Sequence, residues 1–146
     1  MGWWDYSIMG GDTPWDVAGD VADLLKISDF ENSDMCAPDD WNPKERDAIK
    51  NAMFEFGGPL KLNETIINNW GIHDCLGHDN NIITQVIAFL AMSAGYNNDD
   101  GFDVGFRNIA IRACDDEING PFGIADDRIT VLNDFKRKIF EYDGNP

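Results

Sequence analysis

Apolar residues recur every three or four positions along most of the chain, which is the spacing of amphipathic helices. The first such segment follows Thr13, a good capping residue, and Pro14, which suits the first helical position. The pattern predicts a helix that runs to about Lys26. The face that this helix buries consists of Pro14, Val17, Ala18, Val21, Leu24 and Leu25.

A second start signal stands at Asn42, a capping residue with Glu45 three positions further on. The helix that it begins should stop at Gly57, because a second glycine and a proline follow at once. A short third helix is predicted over residues 63–70. Residues 27–41 hold five acids, one proline and no basic residue, which predicts an acidic loop with a short turn of helix at most.

Three further helical patterns occupy the second half of the chain. Residues 80–95 leave almost no polar face, so we expect this helix to cross the middle of the core. Residues 126–142 form the last helix, and the one before it should stop near Gly120. The apolar stripes of these last two helices are Phe106, Ile109, Ala110, Ala113 and Cys114 in the earlier one, and Ile129, Leu132, Phe135, Ile139 and Phe140 in the later one.

Strand patterns are scarce along the chain. Residues 60–62 and 128–131 are the two candidates, and the second overlaps the last predicted helix. The fold class predicted is therefore all-α, a compact bundle of five or six helices with a central apolar helix at about 80–95. Residues 1–146 are expected to form a single acidic helical domain.

Charge adds a strong bias to this picture. The chain has 27 acidic and 11 basic residues, a formal net charge of −16 and a sequence pI near 4.1. Such an excess opposes direct binding to nucleic-acid phosphates. Neither a secretory signal nor an apolar run of ~18 residues is present, so we expect a cytoplasmic protein without a membrane partner. Residues 1–43 hold ten acids and one base, which makes the N-terminal third the most negative part.

The acids of the first helix are spaced by four, four and three residues. Asp12, Asp16, Asp20 and Asp23, called the acidic ridge below, fall within about an 80° arc opposite the apolar face. Successive carboxylates are ~6 Å apart along the axis, comparable to neighbouring phosphates of a nucleic acid. The ridge predicts either a nucleic-acid mimic or a solvated face that keeps an acidic protein soluble. The acids that extend it are Asp29, Glu31, Asp34, Asp39 and Asp40.

The N-terminal segment shows a family resemblance. The residues that carry it are Met1, Gly2, Trp4, Tyr6, Ile8, Asp12, Thr13, Asp16, Gly19 and Asp20. Over about 21 of 146 residues this segment resembles the opening of a widespread family of small bacterial and phage proteins that begin with Met-Gly-x-Trp. Asp5 and Ser7 depart from the glycines of that pattern. The resemblance implies no activity; it implies that Asp12, Asp16 and Asp20 cap and shape the first helix.

Aromatic residues crowd the same segment, and Trp3 and Trp4 are adjacent. Trp and Tyr dominate the energetically important positions of protein interfaces, so the segment is a candidate partner-binding anchor. The alternative is that it packs under the first helix and closes the core. The anchor hypothesis predicts an immunity or adaptor type of protein-binding module.

Two further segments are candidates for a functional site. Residues 73–79 bring together His73, Cys75 and His78, which are ligand types that suit zinc, although their spacing matches no common zinc motif. A metal-dependent hydrolase is the corresponding alternative function; otherwise this stretch is a polar loop. Residues 115–117 are three consecutive acids at a predicted helix end, which indicates a second acidic contact patch or a misplaced helix boundary.

The sequence favours a non-enzymatic inhibitor without a cofactor. We expect a phage- or mobile-element-type protein that imitates DNA charge and blocks the basic cleft of a host defence or DNA-processing protein. The partner-binding residues predicted are Asp12, Asp16, Asp20, Asp23, Asp29, Glu31, Asp34, Trp3 and Trp4. No motif of phosphate binding or nucleophilic catalysis occurs, and the oligomeric state is open.

Overall fold

The computed structural model describes residues 8–10, 12–27, 32–70, 78–97, 104–120 and 124–144. Within these ranges it contains six α-helices of 12 residues or more, a four-residue helix, a 3-10 turn and no strand. The elements are α1 Asp12–Leu25, α2 Asn32–Met35, the 3-10 turn Pro38–Asp40, α3 Pro43–Phe56, α4 Pro59–Trp70, α5 His78–Ser93, α6 Val104–Ile118 and α7 Asp126–Glu141. The predicted all-α class is confirmed, and the two candidate strands lie in α4 and α7.

The start of α3 follows from local hydrogen bonding. The Asn42 side chain accepts from the Glu45 backbone N–H at 2.8 Å, and the Glu45 carboxylate accepts from the Asn42 N–H at 3.1 Å. This capping box satisfies two amide groups that the first turn leaves without helical partners. At the other end Gly57 adopts a φ of 116°, a left-handed conformation that ends the helix at low steric cost.

The start predicted for α4 is wrong by one helical turn. The helix begins at Pro59, and Asn63 lies inside it as a buried residue. Pro59 has no N–H to leave unsatisfied and its fixed φ suits the first helical position. A proline expected to separate two helices therefore initiates the second of them.

The described core is assembled around the faces of α1, α4, α5 and α6. Every residue from 82 to 88 is buried, and α5 contacts each of the other three helices. α7 packs against α6. The centre of the face predicted for α1 is buried, with Val17, Ala18 and Val21 fully covered, whereas Leu24 and Leu25 at its end are half-buried.

Two residues assigned to apolar stripes lie at the surface instead. Ile109 of α6 is 37% exposed and Phe140 of α7 is 74% exposed. At about 100° per residue, Ile109 is roughly 80° and Phe140 roughly 110° from the centre of the buried arc of its helix. Spacing alone placed both on the buried side, but the neighbouring helices leave the Ile109 side of α6 and the Phe140 side of α7 exposed.

Candidate functional site

The acidic ridge lies on the solvent side of α1. The side chains of Asp16 and Asp23 are exposed, whereas that of Asp20 is half-buried. Asp12 is the first residue of the helix, and its side chain lies outside the described part. Val17, Ala18 and Val21 on the opposite face are fully buried, and Asp16 and Asp23 face outward.

Asp20 differs from its neighbours because it also holds two helices together. The indole N–H of Trp70 donates a hydrogen bond of 2.5 Å to its carboxylate. Trp70 is the last residue of α4, so this bond joins the middle of α1 to the end of α4. One carboxylate of the ridge is thus fixed in position and only partly available to a partner.

Asp16 lies near the thiol of Cys36, which is the residue after α2. Burial, and after it the negative charge of Asp16, raises the pKa of the Cys36 thiol. The same thiol donates to the Trp15 carbonyl oxygen at 3.8 Å. Cys36, which follows α2, therefore lies against the first half of α1, at Trp15 and Asp16.

The elements beside Asp16 carry further carboxylates. Asp34 of α2 is half-buried, and its carbonyl oxygen accepts a 2.8 Å hydrogen bond from the Trp41 indole. Asp39 and Asp40 of the 3-10 turn are exposed, while Pro38 is buried beneath them. α2 packs on α1 and on the 3-10 turn, so the negative surface continues from the ridge into these short helices.

Several predicted site residues lie outside the described residues. Asp29, Glu31, Trp3 and Trp4 belong to this group. Close to the aromatic segment, Ile8 is buried in the core. Trp15, the aromatic residue next to Asp16 on α1, is 43% exposed.

The proposed zinc loop is also mostly outside the described ranges. His73 and Cys75 lie there, and His78 is the first residue of α5, with its side chain not described. Among the residues that the structure does describe, no three His, Cys, Asp or Glu side chains are grouped closely enough to hold a metal ion. In the same ranges no helix combines the length and the apolarity needed to span a bilayer.

A buried charged cluster lies between α5, α6 and α7, where the sequence analysis predicted none. The Arg128 guanidinium donates to the Glu117 carboxylate at 2.8 and 3.1 Å and to the Gln85 side-chain oxygen at 2.8 Å. The Gln85 amide in turn donates to Glu117 at 2.9 Å. All three side chains are at most 5% exposed, so a substrate has no access to them. We call this group the buried triad.

The three consecutive acids at the end of α6 are therefore not a second contact patch. Glu117 pairs with Arg128 inside the bundle, and Asp115 pairs with Lys136 of α7. α6 extends to Ile118, close to the end predicted near Gly120, so a misplaced helix boundary does not account for these acids. Basic residues of the adjacent helix neutralise acids that the α6 dipole alone disfavours.

The sequence carries a signal for the buried triad, because two of its charged residues have the helical spacing of buried apolar residues. Arg128 stands four residues before Leu132, in the buried stripe of α7. Glu117 stands three residues after Cys114, in the buried stripe of α6. Charged side chains in register with core residues must find a partner, because an unpaired buried charge is very costly.

Cys114, beside the buried triad, is not a nucleophile. Burial, and after it the Glu117 charge, raises the pKa of its thiol to about 12. Only the thiolate is strongly nucleophilic, and at neutral pH this thiol is protonated. Cys114 therefore acts as a small core residue.

Comparisons of the chain with protein-family models, with curated proteins and with solved structures found no match. The function is therefore argued from geometry and charge. The acidic ridge and the adjoining short helices offer carboxylates that accept hydrogen bonds and ion pairs from Lys and Arg. Asp16, Asp23, Asp39 and Asp40 are the exposed carboxylates among the described residues of this surface.

Proposed function

We propose that this protein is an inhibitor of the phage or mobile-element type that imitates nucleic-acid charge. In this proposal the acidic ridge enters the basic cleft of a host defence or DNA-processing protein and blocks it. The observation that carries the proposal is the outward exposure of Asp16 and Asp23 on one face of α1. These residues are seven positions apart, about 10 Å along the helix axis, which is within the span of two successive phosphate spacings.

The distribution of ion pairs supports the same surface. The salt bridges that join two described residues lie in α3 or in α6 and α7, and Asp16 takes part in none of them. The net charge of −16 steers the protein towards a cationic partner over distances longer than direct contact. Association should therefore be fast at low salt and weaken as ionic strength rises.

The ridge residues have different tasks in this proposal. Asp16 and Asp23 contact the basic cleft directly. Asp20 contributes charge while its bond to Trp70 holds α1 on α4. Asp34, Asp39 and Asp40 extend the contact on the α2 side, together with the predicted contacts Asp12, Asp29 and Glu31.

The first experiment identifies the partner. The immobilised protein is exposed to a bacterial host lysate at low salt and eluted with rising salt, and mass spectrometry identifies the proteins retained. The proposal expects a basic nucleic-acid-binding protein in the late fractions. Duplex DNA should compete with the immobilised protein for that partner, and a partner that binds both at once would contradict mimicry.

The second experiment tests the surface on the captured partner. Reversing Asp16 and Asp23 to Lys, with Asp20 retained, should leave helicity unchanged and weaken binding tenfold or more, and the loss should shrink at high salt. The matched control reverses Glu55 and Glu64, two exposed acids of α3 and α4. Equal losses in both double variants would assign binding to net charge alone and eliminate the ridge.

The exposure of Trp15 favours a second candidate, a protein-binding module of the immunity or adaptor type. Its indole lies beside Asp16 and is 43% exposed, as suits an aromatic interface anchor. In this case the Trp15→Ala variant should lose binding by tenfold or more, and salt should have little effect on the affinity. Strong salt dependence with full binding of Trp15→Ala would favour the mimic.

A further inference from the structure

A cavity lies between the C-terminal halves of α5 and α7, formed without any residue of the acidic ridge. Its volume is about 550 Å³, within the usual range for small-molecule sites. The apolar residues that line it are Ile8, Phe89, Met92, Val131, Phe135 and Tyr142. The rings of Phe89 and Phe135 are 6.1 Å apart and tilted by 46°, so the cavity offers aromatic faces and edges to a ligand.

The wall of the cavity at the end of α7 is held in place by long-range hydrogen bonds. The Tyr142 hydroxyl donates to the Tyr96 carbonyl oxygen at 2.7 Å. The Arg107 guanidinium donates to the carbonyl oxygens of Ile139 and Tyr142 at 2.5 and 3.0 Å. Because these bonds fix the last turn of α7 and the residue after it, the cavity exists without a ligand, which lowers the cost of binding.

The rim of the cavity is acidic. It carries Asp134, Glu141 and Asp143 against one base, Lys138. The Lys138 ammonium is 3.3 Å from the Asp134 carboxylate, so this cation is already engaged. Glu141 is exposed in the last turn of α7, where the helix dipole disfavours an acid, and it takes part in none of the ion pairs between described residues.

We propose that this cavity binds a small amphipathic amine. Its aromatic or aliphatic body lies against Phe89, Phe135 and Val131, and its ammonium group pairs with the rim carboxylates, Glu141 first. A cation at this position also relieves the unfavourable placement of Glu141 at the end of α7. An anionic amphiphile is opposed by the acidic rim and by the net charge of −16.

Three probes of one shape test the proposal on the full chain: 2-naphthylmethylammonium, 2-naphthylmethanol and 2-naphthylacetate. Titration calorimetry gives the affinities, and backbone amide chemical shifts locate the site. We expect the amine to bind at least about fivefold more tightly than the alcohol, the acetate to bind weakest, and the shifts to fall on α5 and α7. Absence of binding at millimolar concentration, equal affinity for all three probes, or shifts confined to other helices would overturn the proposal.

Two variants separate the charge of the rim from the volume of the cavity. Glu141→Gln should reduce the affinity for the amine about threefold or more and leave the affinity for the alcohol unchanged. Glu55→Gln, outside the cavity, should change neither affinity. Ser93→Phe places a ring in the cavity and should abolish binding of every probe; circular dichroism checks its fold, and Ser93→Leu replaces it if helicity is lost. Unchanged selectivity in Glu141→Gln, or full binding by a folded Ser93 variant, would refute the site.

Discussion

The carboxylates of α1 and those at the end of α6 lie in contrasting surroundings. On α1, Asp16 and Asp23 face solvent. At the end of α6, Glu117 is 5% exposed and pairs with Arg128. Both helices carry several acids at short intervals, so a count of charges does not tell them apart. The two groups of acids differ in the helix that packs beside them, since α7 brings basic residues to α6.

This contrast shows how a strongly acidic chain combines a stable bundle with a charged surface. Where helices pack on each other, each buried acid is matched by a base or an amide. On the outer face of α1, carboxylates repel each other at small cost because water screens them. Charge held at such a face is available for binding, whereas charge at the α6 end is used for packing.

The largest expected effect is at the buried triad. Glu117→Gln leaves the Arg128 guanidinium buried without its counter-ion and should destabilise the fold by about 3 to 5 kcal/mol. Urea denaturation followed by circular dichroism measures the loss. Asp116→Asn, one residue earlier and exposed, should change stability by less than about 0.5 kcal/mol. Equal effects of the two variants would remove the distinction drawn between packed and surface acids.

The second effect concerns Asp20, whose carboxylate accepts a hydrogen bond from Trp70 of α4. Trp70→Phe removes the donor to Asp20 and should reduce the free energy of unfolding by roughly 1 to 2 kcal/mol. In the Asp20→Asn background the same Trp70 substitution should cost less, because the charged acceptor has already been removed. A thermodynamic cycle from urea melts gives the coupling, and a coupling of zero would place Asp20 with the solvent-facing acids.

The third effect is alkaline destabilisation through Cys114. The pKa of its thiol is about 12 in the folded protein against an ordinary value of 9.0, so between these values the unfolded state loses a proton that the folded state keeps. Stability therefore falls as pH rises through this window, by about 1 kcal/mol per pH unit. In urea melts from pH 8 upwards, the free energy of unfolding of the Cys114→Ala variant should depend less steeply on pH than that of the unaltered protein. Burial also raises the pKa of the Tyr142 phenol, so the stability of both the unaltered protein and the Cys114→Ala variant falls further as pH rises.

The smallest effect is expected on the ridge itself. Asp16→Asn removes repulsion with Asp20 one turn away and should change stability by about 0.2 to 0.5 kcal/mol in the favourable direction at low salt. The gain should disappear at high salt because the repulsion is screened. A loss above about 1 kcal/mol in thermal melts would mean that Asp16 has a structural role, as the family resemblance implies for the first helix.

Local signals predicted most of the helices. The capping box of Asn42 and Glu45 forms and α3 stops at Gly57 as expected, because each depends on residues only a few positions apart. The outward direction of the ridge was also predictable, since it follows from the angle between Asp16 and the buried Val17 and Val21. The start of α4 at Pro59 was missed because proline both ends and begins helices.

The cavity and the surface positions of Ile109 and Phe140 were not predictable in the same way. The cavity forms where Ile8, Phe89 and Val131 approach from three distant parts of the chain. The exposure of Phe140 depends on how much of α7 is covered by α6 and α5, and periodicity gives only the direction of a side chain. Both features depend on packing between helices.

The sequence by itself determined the helical class, the buried face of α1 and the excess of negative charge, because these follow from spacing and composition. Only the tertiary structure decided which charges are paired, since Arg128 meets Glu117 and Gln85 across 11 and 43 residues of chain and Trp70 meets Asp20 across 50. The physical reason is that helix formation is governed by contacts three and four residues apart. The neutralisation of a carboxylate depends on whichever helix packs beside it.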